Sequence, residues 1–180
     1  IVFANSPTAT VGYTVVSKLK KVKHNHPLLS LNKTTEIDEF SKYFEGKKTV
    51  VMAKMDGLTC SLTYKNGELV LAESRGDGHT GEDITHNVMV IPSIPKRISY
   101  KERLVVDGEI ICKYSDFDAF SEEYKNPRNF AAGSIRLLDS QECEKRHLTF
   151  VVWDVIEGFN EKELLSKKLF PLDVYGFTVV

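Results

Sequence analysis

Apolar and polar residues along the chain follow two alternating periods, and the switches between them outline the elements. Leu58, Cys60, Leu62 and Tyr64 alternate with Thr59, Ser61 and Thr63, which predicts a strand with one apolar face. Lys65-Asn66-Gly67-Glu68 follows; Asn-Gly tolerates positive φ at both central positions of a two-residue turn, so Leu69 to Ser74 becomes the return strand of a hairpin. Residues 49–52, 104–112, 148–156 and 177–180 read as further strands. Helical spacing begins at Thr35, whose hydroxyl is placed to cap a stretch carrying Ile37, Phe40, Tyr43 and Phe44 that Gly46 ends. Ser115 is placed to cap a second helix carrying Phe117 and Phe120, with Asp118 at the box position. Asn126-Pro127-Arg128-Asn129 reads as a break, residues 131–136 as a tightly packed helix, and residues 161–175 as another helix. Residues 76–83 form a glycine-rich turn, followed by a short helix or loop to Val90. Residues 1–33 read as an extended lead-in and residues 34–180 as one core. Hairpins interspersed with helices, without βαβ spacing, predict an α+β fold with antiparallel sheets flanked by helices.

Composition narrows the classes. The chain has 180 residues, 42% of them hydrophobic and 27% charged, an ordinary globular balance that excludes disorder and collagen-like repeats. Lys+Arg 24 against Asp+Glu 25 gives a net charge of −1, so bulk attraction to polyanions is not written into it. Cys60, Cys112 and Cys143 lie far apart with no CxxC pair, which excludes a zinc ribbon and a disulfide framework and fits a reducing cytosol. No apolar run approaches the ~18 residues of a membrane span, and no signal peptide is visible. The chain opens on Ile1 rather than Met, as a piece of a longer protein would.

Four segments carry candidate chemistry. In Lys54-Met55-Asp56-Gly57, a lysine at a strand end can act as a covalent nucleophile once its amine is neutral, with Asp56 placed to handle the proton and Gly57 letting backbone approach a phosphate or sugar. A lysine snorkelling from a strand end is the alternative. In Ser74-Arg75-Gly76-Asp77-Gly78-His79-Thr80-Gly81, Arg75 can fork onto a phosphate or ribose; a solvated turn is the alternative. Glu109, among strand hydrophobes, needs a partner such as a ribose hydroxyl pair or an internal cation. Arg128 and Arg136, eight residues apart, could meet one anionic ligand or simply sit on the surface of a close-packed helix.

Together these segments strongly resemble the adenylation (nucleotidyltransferase) domain of bacterial-type NAD-dependent DNA ligases. The resemblance runs nearly end to end: Ser6-Pro7-Thr8 with Val11-Gly12, His26-Pro27-Leu28-Leu29-Ser30-Leu31, Lys54-Met55-Asp56-Gly57, Arg75-Gly76-Asp77-Gly78 with Thr80-Gly81-Glu82-Asp83-Ile84-Thr85 and Asn87-Val88, Ile94-Pro95, Gly108-Glu109, and the run from Asn126 to Arg136. It implies the nucleotidyltransferase (ATP-grasp-like) fold, with Lys54 attacking the α-phosphorus of NAD, releasing nicotinamide mononucleotide and passing AMP to the 5′-phosphate of nicked double-stranded DNA. It further implies that Asp56 positions the lysine or handles its proton, that Arg75 and Glu109 hold the ribose region, and that Ser30 and Leu31 line the adenine pocket. Trp153 falls where the family carries a base-stacking aromatic. Arg128 and Arg136 would steady phosphate charge of the cofactor or the nick, and Mg²⁺ is expected on the phosphates rather than on side chains of this segment.

Two departures stand out: Met52 occupies the position of a family glutamate that reads the adenine amine, and the stretch from Glu109 to Asn126 is short. An N-terminal subdomain that grips nicotinamide mononucleotide would precede Ile1, and strands with two further lysines would follow Val180. The chain alone is therefore expected to be inactive, and its parent a monomeric enzyme of a bacterial or phage-infected cytoplasm that touches no membrane. Two other classes stay open: a nucleotide- or DNA-binding module without catalysis, and an ATP-dependent nucleotidyltransferase, which the Arg-Gly-Asp-Gly and Asn-Pro-Arg-Asn runs disfavour.

Overall fold

The computed structural model describes residues 18–159 and 164–180. Its elements are β1 (Lys21–Lys23), α1 (Ile37–Phe44), β2 (Leu58–Lys65), β3 (Glu68–Ser74), β4 (Thr80–Glu82), α2 (Thr85–Val88), β5 (Leu104–Ile111), α3 (Tyr114–Phe117), α4 (Pro127–Ser134), α5 (Ser140–Glu144), β6 (Thr149–Glu157), α6 (Leu165–Val174) and β7 (Thr178–Val179). A five-stranded sheet runs β3-β2-β5-β6-β7, and β1 pairs with β4 in a two-stranded sheet. The mixed fold with antiparallel-dominant sheets and helices is as read from the sequence, with one exception. β6 and β7 are parallel and α6 lies between them in the chain, so a βαβ unit is present after all.

The β2–β3 hairpin turns at Asn66 (φ 54°) and Gly67 (φ 81°), the left-handed pair that Asn-Gly supplies without strain. From it, period two sorts the strands into faces. Cys60, Leu62, Tyr64, Val106, Ile110, Phe150 and Val152 are fully buried and form the core with Ile84, Val88, Phe130, Ile135 and Leu172 from flanking segments. Gly108 belongs to this face because the Phe150 ring lies over it; a Cβ there would sit 2.4 Å from Cζ. Phe130 anchors α4 by stacking on Phe120 (4.6 Å) and meeting Tyr124 edge-on (5.1 Å).

Several boundaries differ from the sequence reading. Residues 49–52 form no strand: Val51 is 91% exposed, and both edges of β2 are already paired, with β3 and β5. A lone extended segment without a ladder partner has nowhere to place its backbone donors except water. Thr35 does not cap α1; Thr34 receives the Glu36 amide and donates to Glu39 instead. Ser115 caps nothing, since Lys113 precedes α3 and Phe120 lies in a following 3₁₀ turn. Asn126-Pro127 starts α4: Asn126 Oδ1 accepts from the Asn129 amide (2.8 Å), and Pro127 takes the first position, where a missing N–H costs nothing. α5, capped by Asp139 on the Gln141 amide, was not foreseen. The lead-in residues Ser6, Pro7, Thr8, Val11 and Gly12, and residues 161–163 of the expected last helix, lie outside the described residues.

Candidate functional site

The second face of the sheet is polar although it too is buried. In register, Glu73 of β3 stands opposite Ser61 of β2, Ser61 opposite Asp107 of β5, and Asp107 opposite Asp154 of β6; one row beyond, Thr59 faces Glu109. Residues directly opposite share a face, so three carboxylates line up across four strands with Glu109 beside them. This face floors a cleft of about 850 Å³.

One wall is residues 26–33. This segment forms no strand; it is hung on the glycine-rich loop by the His24 amide donating to His79 O and the Leu28 amide donating to Gly78 O, both 2.9 Å. The loop can present those carbonyls because Gly76 and Gly78 take φ of 54° and 94°. Asp77 closes the turn by accepting the His79 and Thr80 amides, which hold its carboxyl below the usual range. Met52, Ala53, Lys54 and Met55 also line the cleft, with Trp153 and Ile156 contributed by β6.

The cleft gathers Ser30, Leu31, Lys54, Arg75, Glu109, Arg128 and Trp153, drawn from residues more than a hundred positions apart in sequence. Lys54 is exposed at its mouth. Arg75 leaves the end of β3, where its amide donates to Thr59 O (3.0 Å). Burial pushes the Glu109 carboxyl up, against the Thr59 hydroxyl (3.0 Å), the Gly57 amide and the charges of Lys54 and Arg128.

Two of the sequence candidates stand elsewhere. Asp56 is exposed at the rim and accepts from Arg128 (2.8 Å) rather than lining the cleft. Arg136 does not reach the cleft: its Nε donates to Glu82 Oε2 at 2.7 Å, in a pocket where Glu82 is fully buried and its Oε1 has no partner. Arg128 faces the cleft and Arg136 is committed to Glu82, so one anion bridging both is not what this arrangement provides. Gly57 also has a packing reason. A Cβ there would lie 2.0 Å from Ile110 O, so close packing against β5 requires the glycine.

Sequence reasoning passed over His26, Thr59, Asp107 and Asp154, all of which line the cleft. His26 Nε2 meets Asp107 Oδ2 at 2.8 Å, and Asp107 is 1% exposed with Oδ1 unpartnered. Burial, then the Asp107 charge, raises the Asp154 carboxyl, while the Val155 amide, Lys168 and His26 favour its ionised form. The available signal was parity: Asp107 and Glu109 are two apart on one strand and must share a face. Met52, the departure from the expected glutamate, lines the cleft as an apolar group. Cys60, Cys112 and Cys143 are all free, buried thiols. Among the described residues no group of three His, Cys, Asp or Glu side chains could hold a metal ion, and no helix is long and apolar enough to cross a membrane.

The model of the NAD-dependent DNA ligase adenylation domain matches residues 16–180. A DNA ligase of Lachnoclostridium phytofermentans is 39% identical over the whole chain, and that of Ruminiclostridium cellulolyticum 39% identical over 89% of it. The DNA ligase of Campylobacter hominis is 42% identical over 85%. The chain spans only 25–29% of the length of these relatives.

Proposed function

The chain belongs to the family of NAD-dependent DNA ligase adenylation domains, and from that premise we propose that its cleft binds the adenylate half of NAD and transfers AMP through Lys54 to the 5′-phosphate of nicked DNA in a longer enzyme. The observation that carries this reading is the convergence of Lys54, Arg75, Glu109, Arg128 and Trp153 on one cleft with the Ser30–Leu31 wall. Its volume suits a nucleotide, since small-molecule sites run about 300–1,000 Å³. The antiparallel-dominant sheets and the family match support the nucleotidyltransferase fold for it.

In the first step the Lys54 amine attacks the α-phosphorus. The P–N bond forms, the P–O bond to nicotinamide mononucleotide breaks, and the leaving phosphate takes the electron pair. The lysine proton leaves through Asp56 or solvent at the rim. A DNA 5′-phosphate oxygen then attacks the same phosphorus and frees the lysine. The 3′-hydroxyl finally displaces AMP, closing the phosphodiester. Trp153 offers a flat surface to the base, and Glu109, already held by Thr59, accepts from ribose hydroxyls. Arg75 and Arg128 bring fixed positive charge to the phosphates, the dominant contribution in such transfers. Mg²⁺ held by the phosphates would neutralise their charge.

Mass spectrometry tests this. In the longer enzyme incubated with NAD, an AMP adduct on Lys54 is expected, and an ATP-only adduct would redirect the reading to the ATP-dependent class. Nucleotide binding without any adduct would leave a non-catalytic module.

A further inference from the structure

The wall carrying Ser30 and Leu31 has no strand partner, yet two side chains pin its root to the sheet. His24 Nδ1 lies 3.1 Å from Glu73 Oε1 and its Nε2 3.0 Å from Arg75 O. His26 Nε2 lies 2.8 Å from Asp107 Oδ2 and its Nδ1 2.5 Å from Asn25 Oδ1. Every one of these partners is an oxygen. A neutral imidazole offers only one N–H, so His24, which meets a carboxylate and a backbone carbonyl, donates from both nitrogens only in its charged form. Glu73 is one end of the carboxylate row and Asp107 its middle member, and both are nearly inaccessible to water.

We propose that His24 and His26 are positioning residues for the nucleotide cleft: each clips the 24–31 segment onto a carboxylate of the sheet, and the pair thereby sets the wall that Ser30 and Leu31 present to the base. The inference rests on the nucleotide reading of the cleft.

The surroundings favour a charged His24. Facing His24 and His26 are Glu73 and Arg75 from β3 and its end, Asp107 and Glu109 of β5, and Asp154 of β6. Asp77 and His79 lie in the glycine-rich loop, Lys168 of α6 acts on Asp154, and Lys54 and Arg128 act on Glu109. Carboxylates outnumber cations along the floor, and a cation on the wall relieves that excess. Burial lowers His24, but hydrogen bonds to Glu73 and the Arg75 carbonyl and the charges of Glu73 and Asp107 more than reverse this, so it stays protonated above its ordinary value. The sign follows: the clip is complete below about pH 6.5, the unfolded value, and is lost as pH rises through the higher folded one. Loss of the clips leaves the wall held by the His24 and Leu28 backbone bonds, the β1–β4 ladder before it and the buried Leu28 side chain.

Two measurements on the chain test this. Trp153 is the sole tryptophan and lines the cleft, so its fluorescence reports AMP binding. Amide exchange at Leu28, corrected for intrinsic rate, reports the wall without any ligand. Between about pH 6 and about pH 8.5, AMP affinity and Leu28 protection should each fall about tenfold, the worth of one charge-assisted hydrogen bond. His24→Gln should show the weaker values already at the lower pH and a flatter profile, and His26→Gln weaker values at both pH values, with the melting temperature of the core little changed. Parallel pH profiles in native and substituted chains, or Leu28 protection indifferent to pH, would overturn the clasp. Leu28 protection that follows pH in a chain giving no AMP response would support the clasp and defeat the nucleotide reading instead.

Discussion

The two faces of the central sheet are both buried, yet they are built on opposite principles. On β5, Leu104, Val106 and Ile110 point into an apolar core, while Asp107 and Glu109, interleaved with them, point into the cleft. The apolar face is close-packed, to the extent that Phe150 takes the space over Gly108. The polar face leaves Asp107 Oδ1 and Ser61 Oγ buried without a partner. Unpaired buried oxygens cost stability. The contrast therefore assigns folding to one face and chemistry to the other, and each can be disturbed without the other.

The largest separation comes from Lys54→Ala in the longer enzyme, which should abolish labelled AMP on the protein, since no other group replaces the nucleophile. Lys54 is exposed, so urea unfolding should stay unchanged; labelled AMP on the variant would remove Lys54 from its role. Phe150→Ala should show the converse, losing about 3–5 kcal/mol of stability with the Trp153 response to AMP retained. Gly108→Ala, which drives a methyl into the same ring, should cost about 1–3 kcal/mol by overpacking. A loss of AMP binding without a loss of stability in either variant would contradict the division between faces.

Glu109→Gln should weaken AMP about tenfold by removing a charged acceptor, with little change in stability at neutral pH. Because the folded Glu109 carboxyl lies above 4.5, the folded state holds its proton longer than the unfolded one. Its contribution is present below 4.5 and lost as pH rises through the folded value, so the variant should lack that downward slope in stability. An unchanged slope in pH-dependent denaturation would place the carboxyl elsewhere. The smallest effect belongs to the rim: the exposed Asp56–Arg128 pair should contribute no more than about 1 kcal/mol, read from a double-mutant cycle.

Much of this organisation was readable in the chain because it is local. Asn66-Gly67 demands its turn, alternation from Leu58 to Tyr64 demands a strand, and Lys54-Met55-Asp56-Gly57 with Arg75, Glu109 and Trp153 carried the family resemblance. The misreadings were non-local. Val50 and Val51 have strand-forming side chains, but a strand needs a neighbour, and every edge of β2 was taken. Arg128 and Arg136 look like a matched pair along a helix until Glu82, fifty-four positions away, claims one of them. Asp107 was hidden because a lone acid in a strand has no evident partner until His26 is brought to it from eighty-one positions away.

By itself, then, the amino-acid sequence determined the strand-rich α+β class, the hairpin, the Lys54-Met55-Asp56-Gly57 motif and the family, because these rest on backbone preference and on residues close in the chain. Tertiary structure alone decided which carboxylates share a face, which arginine meets the cleft and which histidines hold its wall. Those choices depend on strand register, where a shift of one residue sends every side chain to the opposite face, and on pairings whose energy appears only once distant segments are buried together.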